Sequence, residues 1–118
     1  MKVLLLEDAT DRITFFKEKF KLHELFVTDC SKTAIDYIDR FIFDVLFLDN
    51  DLGEGNGYGV DVSAYLQSHP ENLNNHSKII IHSWNTPESI RMSNMLPKAK
   101  RIPFNTNILL EIGLTNLY

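Results

Sequence analysis

Cysteine occurs once in this 118-residue chain, at Cys30, so an internal disulfide is excluded, and no Cys/His group has the spacing of a zinc site. Long apolar runs are missing too. None approaches the ~20 residues a membrane-crossing helix needs, and the run from Met1 to Leu6 meets Glu7 and Asp8 too soon to be the core of a signal peptide. A cytoplasmic protein without membrane association is the expectation. Positive charge is in deficit, 12 Lys and Arg against 16 Asp and Glu for a net charge of −4. That argues against a surface that wraps nucleic acid, though not against recognition of one nucleic-acid end. The basic clusters Lys17/Lys19/Lys21 and Lys98/Lys100/Arg101 are small and read as solvated faces. There is no internal repeat, low-complexity tract or linker, so 1–118 is expected to be one domain, burying roughly two thirds of its unfolded surface.

Short apolar runs are what the chain does contain. Val3–Leu6, Leu25–Thr28, Val45–Leu48, Lys78–Ile81 and Ala99–Ile102 have the look of parallel strands, which are apolar on both faces. Helical spacing lies between them: Ile13, Phe16 and Phe20 along 11–21; Ala34, Ile35, Ile38 and Phe41 along 32–42; Val60, Ala64 and Leu66 along 58–68. Thr86, Pro87 and Glu88 read as cap, first-turn proline and dipole-matched acid of a helix reaching about Met95. Asn105 or Thr106 is placed to cap a last helix carrying Ile108, Leu109, Ile112 and Leu117, and His69–His76 reads as a long polar loop. Strands alternating with helices predict an α/β fold: a doubly wound, five-stranded parallel sheet of order 2-1-3-4-5. Chemistry in such a sheet gathers at the carboxyl ends of the strands, beside the switch point between strands one and three.

That rule brings together residues far apart in sequence. Glu7 and Asp8 follow the first strand and Asp49 ends the third. Carboxylates crowded at one crevice repel unless a cation sits among them, which points to a hard divalent ion such as Mg²⁺, or Mn²⁺, on Glu7, Asp8 and Asp49. The alternative is that Asp8 or Asp11 caps the next helix and Asp49 is solvated. Asp51 reads equally as a further ligand, a partner orienting the loop, or a turn residue. Gly53, Gly55, Gly57 and Gly59 permit positive φ and leave backbone amides open to a phosphate at the start of the next helix. After the fourth strand come His82, Ser83, Trp84 and Asn85. His82 suits a general acid or base, or a structural histidine; Ser83 and Asn85 suit donors to phosphate oxygens; Trp84 suits a lid, a base-stacking surface or simple packing.

Leu6-Glu7-Asp8 with Arg12, Asp49, Ser83 and Ile102-Pro103-Phe104 resemble, over nearly the whole chain, the receiver domain of response regulators. The resemblance implies Asp49 at the phosphoacceptor position and Ile102 where those domains carry a lysine that neutralises the phosphoryl charge. A narrower branch fits more closely. Leu5-Leu6-Glu7-Asp8 with Arg12 and Phe16, Phe47-Leu48-Asp49-Asn50-Asp51-Leu52-Gly53 with Gly57-Tyr58, and Ile80-Ile81-His82-Ser83-Trp84-Asn85 with Met92 resemble the cyclic-phosphate-processing receiver family. This chain departs from that pattern at Asn50, where His is usual, and at Thr86, which separates Asn85 from Pro87.

The narrower resemblance implies a metal-dependent protein that acts on or binds 2′,3′-cyclic phosphate ends of RNA in repair or processing, alongside an RNA ligase or other repair proteins. The expected roles are Asp49, His82 and Ser83 in catalysis, with Arg12, Asn85 and Arg91 binding substrate. Glu7, Asp8, Asp49 and Asp51 are expected to hold Mg²⁺ or Mn²⁺. The competing readings are a non-catalytic module for protein interaction and a phosphorelay receiver with Asp49 as acceptor.

Overall fold

The computed structural model describes residues 1–114, so Leu117, expected on the last helix, lies outside the described residues. The elements alternate in the anticipated way: β1 (Lys2–Leu6), α1 (Thr10–Lys19), β2 (Glu24–Thr28), α2 (Ser31–Arg40), β3 (Val45–Leu48), α3 (Gly59–Ser68), β4 (Lys78–Ile81), α4 (Thr86–Met95), β5 (Lys100–Arg101) and α5 (Ile108–Glu111). All strand pairs are parallel, in the order β2-β1-β3-β4-β5. This is the doubly wound sheet expected from the alternation of short apolar runs with helical segments. Among the described residues, no helix is long and apolar enough to cross a membrane.

Both faces of the sheet are buried, which is why its strands lack hydrophobic alternation. On one face Leu4, Leu6, Leu46, Leu48, Ile79 and Ile81 pack under α2, α3 and α4 through Ala34, Ile38, Val62, Leu66 and Met92. On the other Val3, Leu5, Val45, Phe47 and Ile80 meet Phe16 and Phe20 of α1 and Ile108 and Leu109 of α5. Side chains alternate faces along a strand, so Glu7, Asp49 and His82 continue the α1/α5 face. Register makes them neighbours: Leu6 pairs Leu48, and Leu48 pairs Ile81. The ladder runs one step further, with Asp49 N–H donating to the Leu6 carbonyl, His82 N–H to Leu48 and Ile102 N–H to Ile81.

Several local expectations shift. The cap of α4 is Asn85 rather than Thr86, its Oδ1 accepting the Glu88 amide at 3.3 Å, with Pro87 in the first turn. Neither Asp8 nor Asp11 caps α1: the N-cap position is Ala9, without a side-chain cap. Strand β5 is shorter than read, and α5 is a single turn starting after Asn107, cut off by Gly113 at φ +81°. The 69–76 segment is not all loop. Leu73–His76 forms a 3₁₀ turn in which buried Asn74 accepts the Phe43 amide and donates to the Ile38 and Phe41 carbonyls, tying it to the end of α2.

The glycine-rich loop after β3 is folded back on the site rather than left open. Gly57 has φ +75°, and a Cβ there would lie 2.1 Å from Ser31 Oγ. Gly59 needs no positive φ, but its missing Cβ lets the start of α3 lie directly on the backbone of Asp49: a Cβ would sit 1.8 Å from the Asp49 carbonyl oxygen. Gly59→Ala is therefore expected to destabilise the protein by about 3 kcal/mol or more, since the obstructing atom is backbone and cannot rotate away. Urea unfolding checks this, and a variant as stable as the parent contradicts the packing.

Candidate functional site

The site is built at the carboxyl ends of β1, β3 and β4. Glu7, Asp49 and His82 each offer a ligand atom within 4.8 Å of the others, and all three are buried. Glu7 is the hub. Its Oε2 accepts the amides of Asp8 and Ala9 at 3.0 and 3.1 Å, so its carboxylate pins the turn that leads from β1 into α1. Its Oε1 meets His82 Nε2 at 2.9 Å and Arg12 Nη1 at 3.5 Å. The same Arg12 nitrogen lies 3.8 Å from Asp49 Oδ2. Asp49 Oδ1 accepts the Asn50 amide at 2.8 Å, and the buried Ser83 hydroxyl accepts the Asn85 amide at 3.1 Å at the end of β4.

Two acids in contact inside a protein cannot both ionise freely. Burial, then the hydrogen bond and negative charge of Glu7, raise Asp49 to about 7. Burial also opposes ionisation of Glu7, but hydrogen bonds with His82 and Asp49, the charge of His82 and the Ala9 amide outweigh it and bring Glu7 down to about 2. Near neutrality Glu7 thus carries the charge while Asp49 holds a proton for part of the time. Asp8 is exposed and is raised by desolvation and the nearby Glu7 charge.

The expected site residues separate into two groups. Glu7, Asp49, His82, Ser83 and Arg12 meet at the inner crevice. Asp51, Asn85 and Arg91 instead line an adjoining cleft of about 320 Å³ with Asn50, Tyr58, Val60 and Glu88. There Asn85 Nδ2 donates to both Asp51 oxygens at 3.3 and 3.4 Å, and Arg91 lies 3.5 Å from Glu88. Asp51 thus sits where it can orient the loop rather than in the cluster of candidate ligands. Asp8 also stands outside that cluster, turned toward Gly53.

His82 lies deeper than the expectation of a rim acid required. Its ring is 0% exposed, packed on Phe16 and Phe47, and among the described residues Nδ1 has no hydrogen-bond partner. Period-two alternation on a strand buried on both faces is the physical reason: position 82 follows Ile80 onto the α1/α5 face, beneath α1. From there it holds Glu7 and completes a ligand set, and in this conformation it does not meet a solvent-borne substrate.

The amides expected to receive a phosphate at the start of α3 are already engaged. Gly59 N–H donates to the Asn50 carbonyl, Val60 N–H to Asn50 Oδ1 and Tyr58 N–H to Asp61 Oδ2. Asn50, noted in the sequence only as a departure from a family pattern, is a buried clamp that also donates to Asp51. Ile102, expected at the position of the receiver lysine, is half-buried against the α1/α5 core, while Arg101, paired with Ile81, belongs to the opposite face. The cation beside the acids is Arg12 instead. Its guanidinium lies 5.7 Å from the Trp84 ring and 5.2 Å from the Phe104 ring, a pair of contacts that sequence spacing did not reveal.

The donor set suits a divalent ion: two carboxylates already share too little positive charge, and an imidazole joins them. Glu7, Asp49 and His82 are the residues that would hold it. An imidazole nitrogen favours Mn²⁺ over Mg²⁺, which prefers oxygen alone. Mn²⁺ is therefore expected to raise the melting temperature more than Mg²⁺ at equal concentration. In Asp49→Asn the ion-dependent rise should vanish, while the metal-free variant should be stabilised by about 2 kcal/mol at pH 8. The sign follows from the raised folded-state pKa: ionising Asp49 opposes folding increasingly as pH rises from its unfolded range through about 7, and asparagine removes that cost. Thermal unfolding with and without ions measures both effects.

The fold is shared with solved response-regulator structures. The phosphorylated cyanobacterial phytochrome response regulator RcpA superposes with a TM-score of 0.75 at 20% identity, over 96% of this chain and 88% of that one. TrrA of Thermotoga maritima, solved with Mg²⁺ and BeF, gives 0.67 at 20% identity over 95% and 96%. The Mn²⁺-bound form of response regulator Rcp1 gives 0.72 at 16% identity over 95% and 88%. No curated protein matches the chain. The family model of the cyclic-phosphate processing receiver domain matches residues 2–98, which includes Glu7, Arg12, Asp49, His82, Ser83 and Trp84, and the chain belongs to that family.

Proposed function

We propose that this protein binds the 2′,3′-cyclic phosphate end of RNA and opens it by hydrolysis in a metal-dependent reaction. The observation that carries this reading is the placement of Arg12 against Glu7 and Asp49, at 3.5 and 3.8 Å, in a crevice with Ile102 at the lysine position. One cation over an acidic, ion-competent pair suits a phosphate group delivered by a ligand. Solved relatives described with Mg²⁺ or Mn²⁺ support the ion requirement, and the family description supports the cyclic phosphate.

A dication on Glu7, Asp49 and His82 would polarise the phosphate and activate water. The protein's own groups do the rest. Arg12 is one side chain away from both acids and is restrained by two rings, so its N–H groups can meet phosphate oxygens without much loss of rotamer freedom. Ser83 receives the Asn85 amide at 3.1 Å, holding the turn that ends β4. Without an ion, His82 Nε2 meets Glu7 Oε1 at 2.9 Å and keeps that carboxylate in place. In the net reaction the oxygen of water bonds to phosphorus, one P–O bond to the ribose breaks, and the freed ribose oxygen takes a proton. An RNA ligase or another repair protein is the partner chemistry that would consume or supply such an end.

The test is conversion of an RNA oligomer with a cyclic 3′ end to a monophosphate, with Mn²⁺, Mg²⁺ or chelator. Arg12→Ala is expected to lower kcat/KM by about 10²–10³, and chelator to abolish turnover. Wild-type protein that is inert and indistinguishable from Asp49→Ala removes the catalytic reading. Retention of the oligomer without conversion assigns a binding module instead.

A second reading, phosphoryl transfer to Asp49, has the shared receiver fold and the position of Asp49 at the end of β3 in its favour. With no lysine at position 102, acetyl phosphate is expected to leave Asp49 unmodified under conditions that label an ordinary receiver. A phosphoaspartate found by intact-mass analysis would restore the phosphorelay role.

A further inference from the structure

Trp84 is the only tryptophan in the chain, and its side chain is 67% exposed directly after the buried Ser83. It is nevertheless held in one orientation. The indole Nε1–H donates to the Phe104 carbonyl at 3.0 Å, and the Arg12 guanidinium lies over the ring, 5.7 Å from its centroid. The same guanidinium is 5.2 Å from the Phe104 ring, while its Nη1 reaches Glu7 and Asp49. One side chain therefore links the exposed indole to the acidic crevice. A large apolar ring left in water yet restrained at its only polar atom and on its face has the form of a stacking platform, since orienting it has already been done by the fold.

We infer that Trp84 stacks the base of the terminal nucleotide whose phosphate Arg12 receives, so that the ligand class is a single-stranded nucleoside-ended cyclic phosphate rather than a small sugar or alkyl cyclic phosphate. The inference rests on the proposed function and adds the base to it. Stacking needs only a π-face, so it accepts any of the bases. Charge sets the footprint. With a net charge of −4 and Arg91 across the adjoining cleft beside Glu88, Arg12 is the cation that the crevice itself presents. Recognition is then confined to the last nucleotide, and affinity is expected to change little with oligomer length and only weakly with salt.

The lone tryptophan also serves as the probe. Titration of wild-type protein, with Mn²⁺ present, by a short oligomer ending in a 2′,3′-cyclic phosphate should quench its fluorescence. With a 5′-labelled oligomer followed by anisotropy, Trp84→Ala should weaken binding about 5- to 100-fold, and Trp84→Phe should keep most of it. An oligomer whose terminal ribose lacks its base should bind wild type as weakly as the intact oligomer binds Trp84→Ala. Circular dichroism checks that both variants fold. Equal binding by wild type and Trp84→Ala, or no cost for losing the terminal base, overturns the stack; a preference for the cyclic over the 3′-hydroxyl end would still uphold the proposed function. Trp84-dependent binding that ignores the cyclic phosphate keeps the stack and removes the proposed function. Failure of every oligomer to bind overturns both.

Discussion

Two carboxyl groups, Glu7 and Asp49, are forced together because β1 and β3 are hydrogen-bonded neighbours whose last residues, Leu6 and Leu48, are in register. Neither acid can move away without breaking the ladder that continues from Leu6 to the Asp49 amide. Repulsion is relieved locally by a proton on Asp49, by His82 and two amides on Glu7, and by Arg12 across both. Were Asp49 to give up its proton, two buried carboxylates would share one guanidinium, which is the physical reason the cluster could take a dication. The buried histidine and the close fit of Gly59 on the Asp49 backbone both add to the restraint on this pair.

Position 102 bears on where the site draws its positive charge. With an isoleucine there, the end of β5 joins the apolar layer of Phe16, Phe47 and Ile108, and no flexible cation comes from that side. Positive charge arrives from α1 instead, on a guanidinium in contact with the rings of Trp84 and Phe104. A guanidinium restrained by rings presents its donors in a fixed plane, unlike a lysine ammonium on a mobile stem. The cation beside Asp49 thus comes from α1, while the sheet beneath is the one shared with the solved response-regulator structures.

Much of the fold was legible because its signals are local. Apolar runs such as Val45–Leu48 and Lys78–Ile81 contain no alternation, which only a strand buried on both faces tolerates, and the doubly wound order then places Glu7, Asp49 and His82 at one edge. Caps and short elements were less legible. Asn85 rather than Thr86 caps α4, and Asn74 organises the 3₁₀ turn, because each choice depends on a partner supplied by another part of the chain or by the helix once formed. The glycine loop misled in a specific way: its composition is compatible with free amides, yet Asn50 and Asp61 take them.

The amino-acid sequence by itself determined the α/β alternation, the acids that end strands one and three, the histidine and serine that follow strand four, and the absence of a lysine at position 102. These depend on residue type and spacing along one chain. Tertiary structure alone decided that His82 is sealed under α1, that Asp51, Asn85 and Arg91 belong to an adjoining cleft, and that Arg12 joins Trp84 to the acids. Depth, solvent access and contact across distant segments are set by how faces pack, and no linear pattern carries the distance between two side chains that meet only when the sheet is closed.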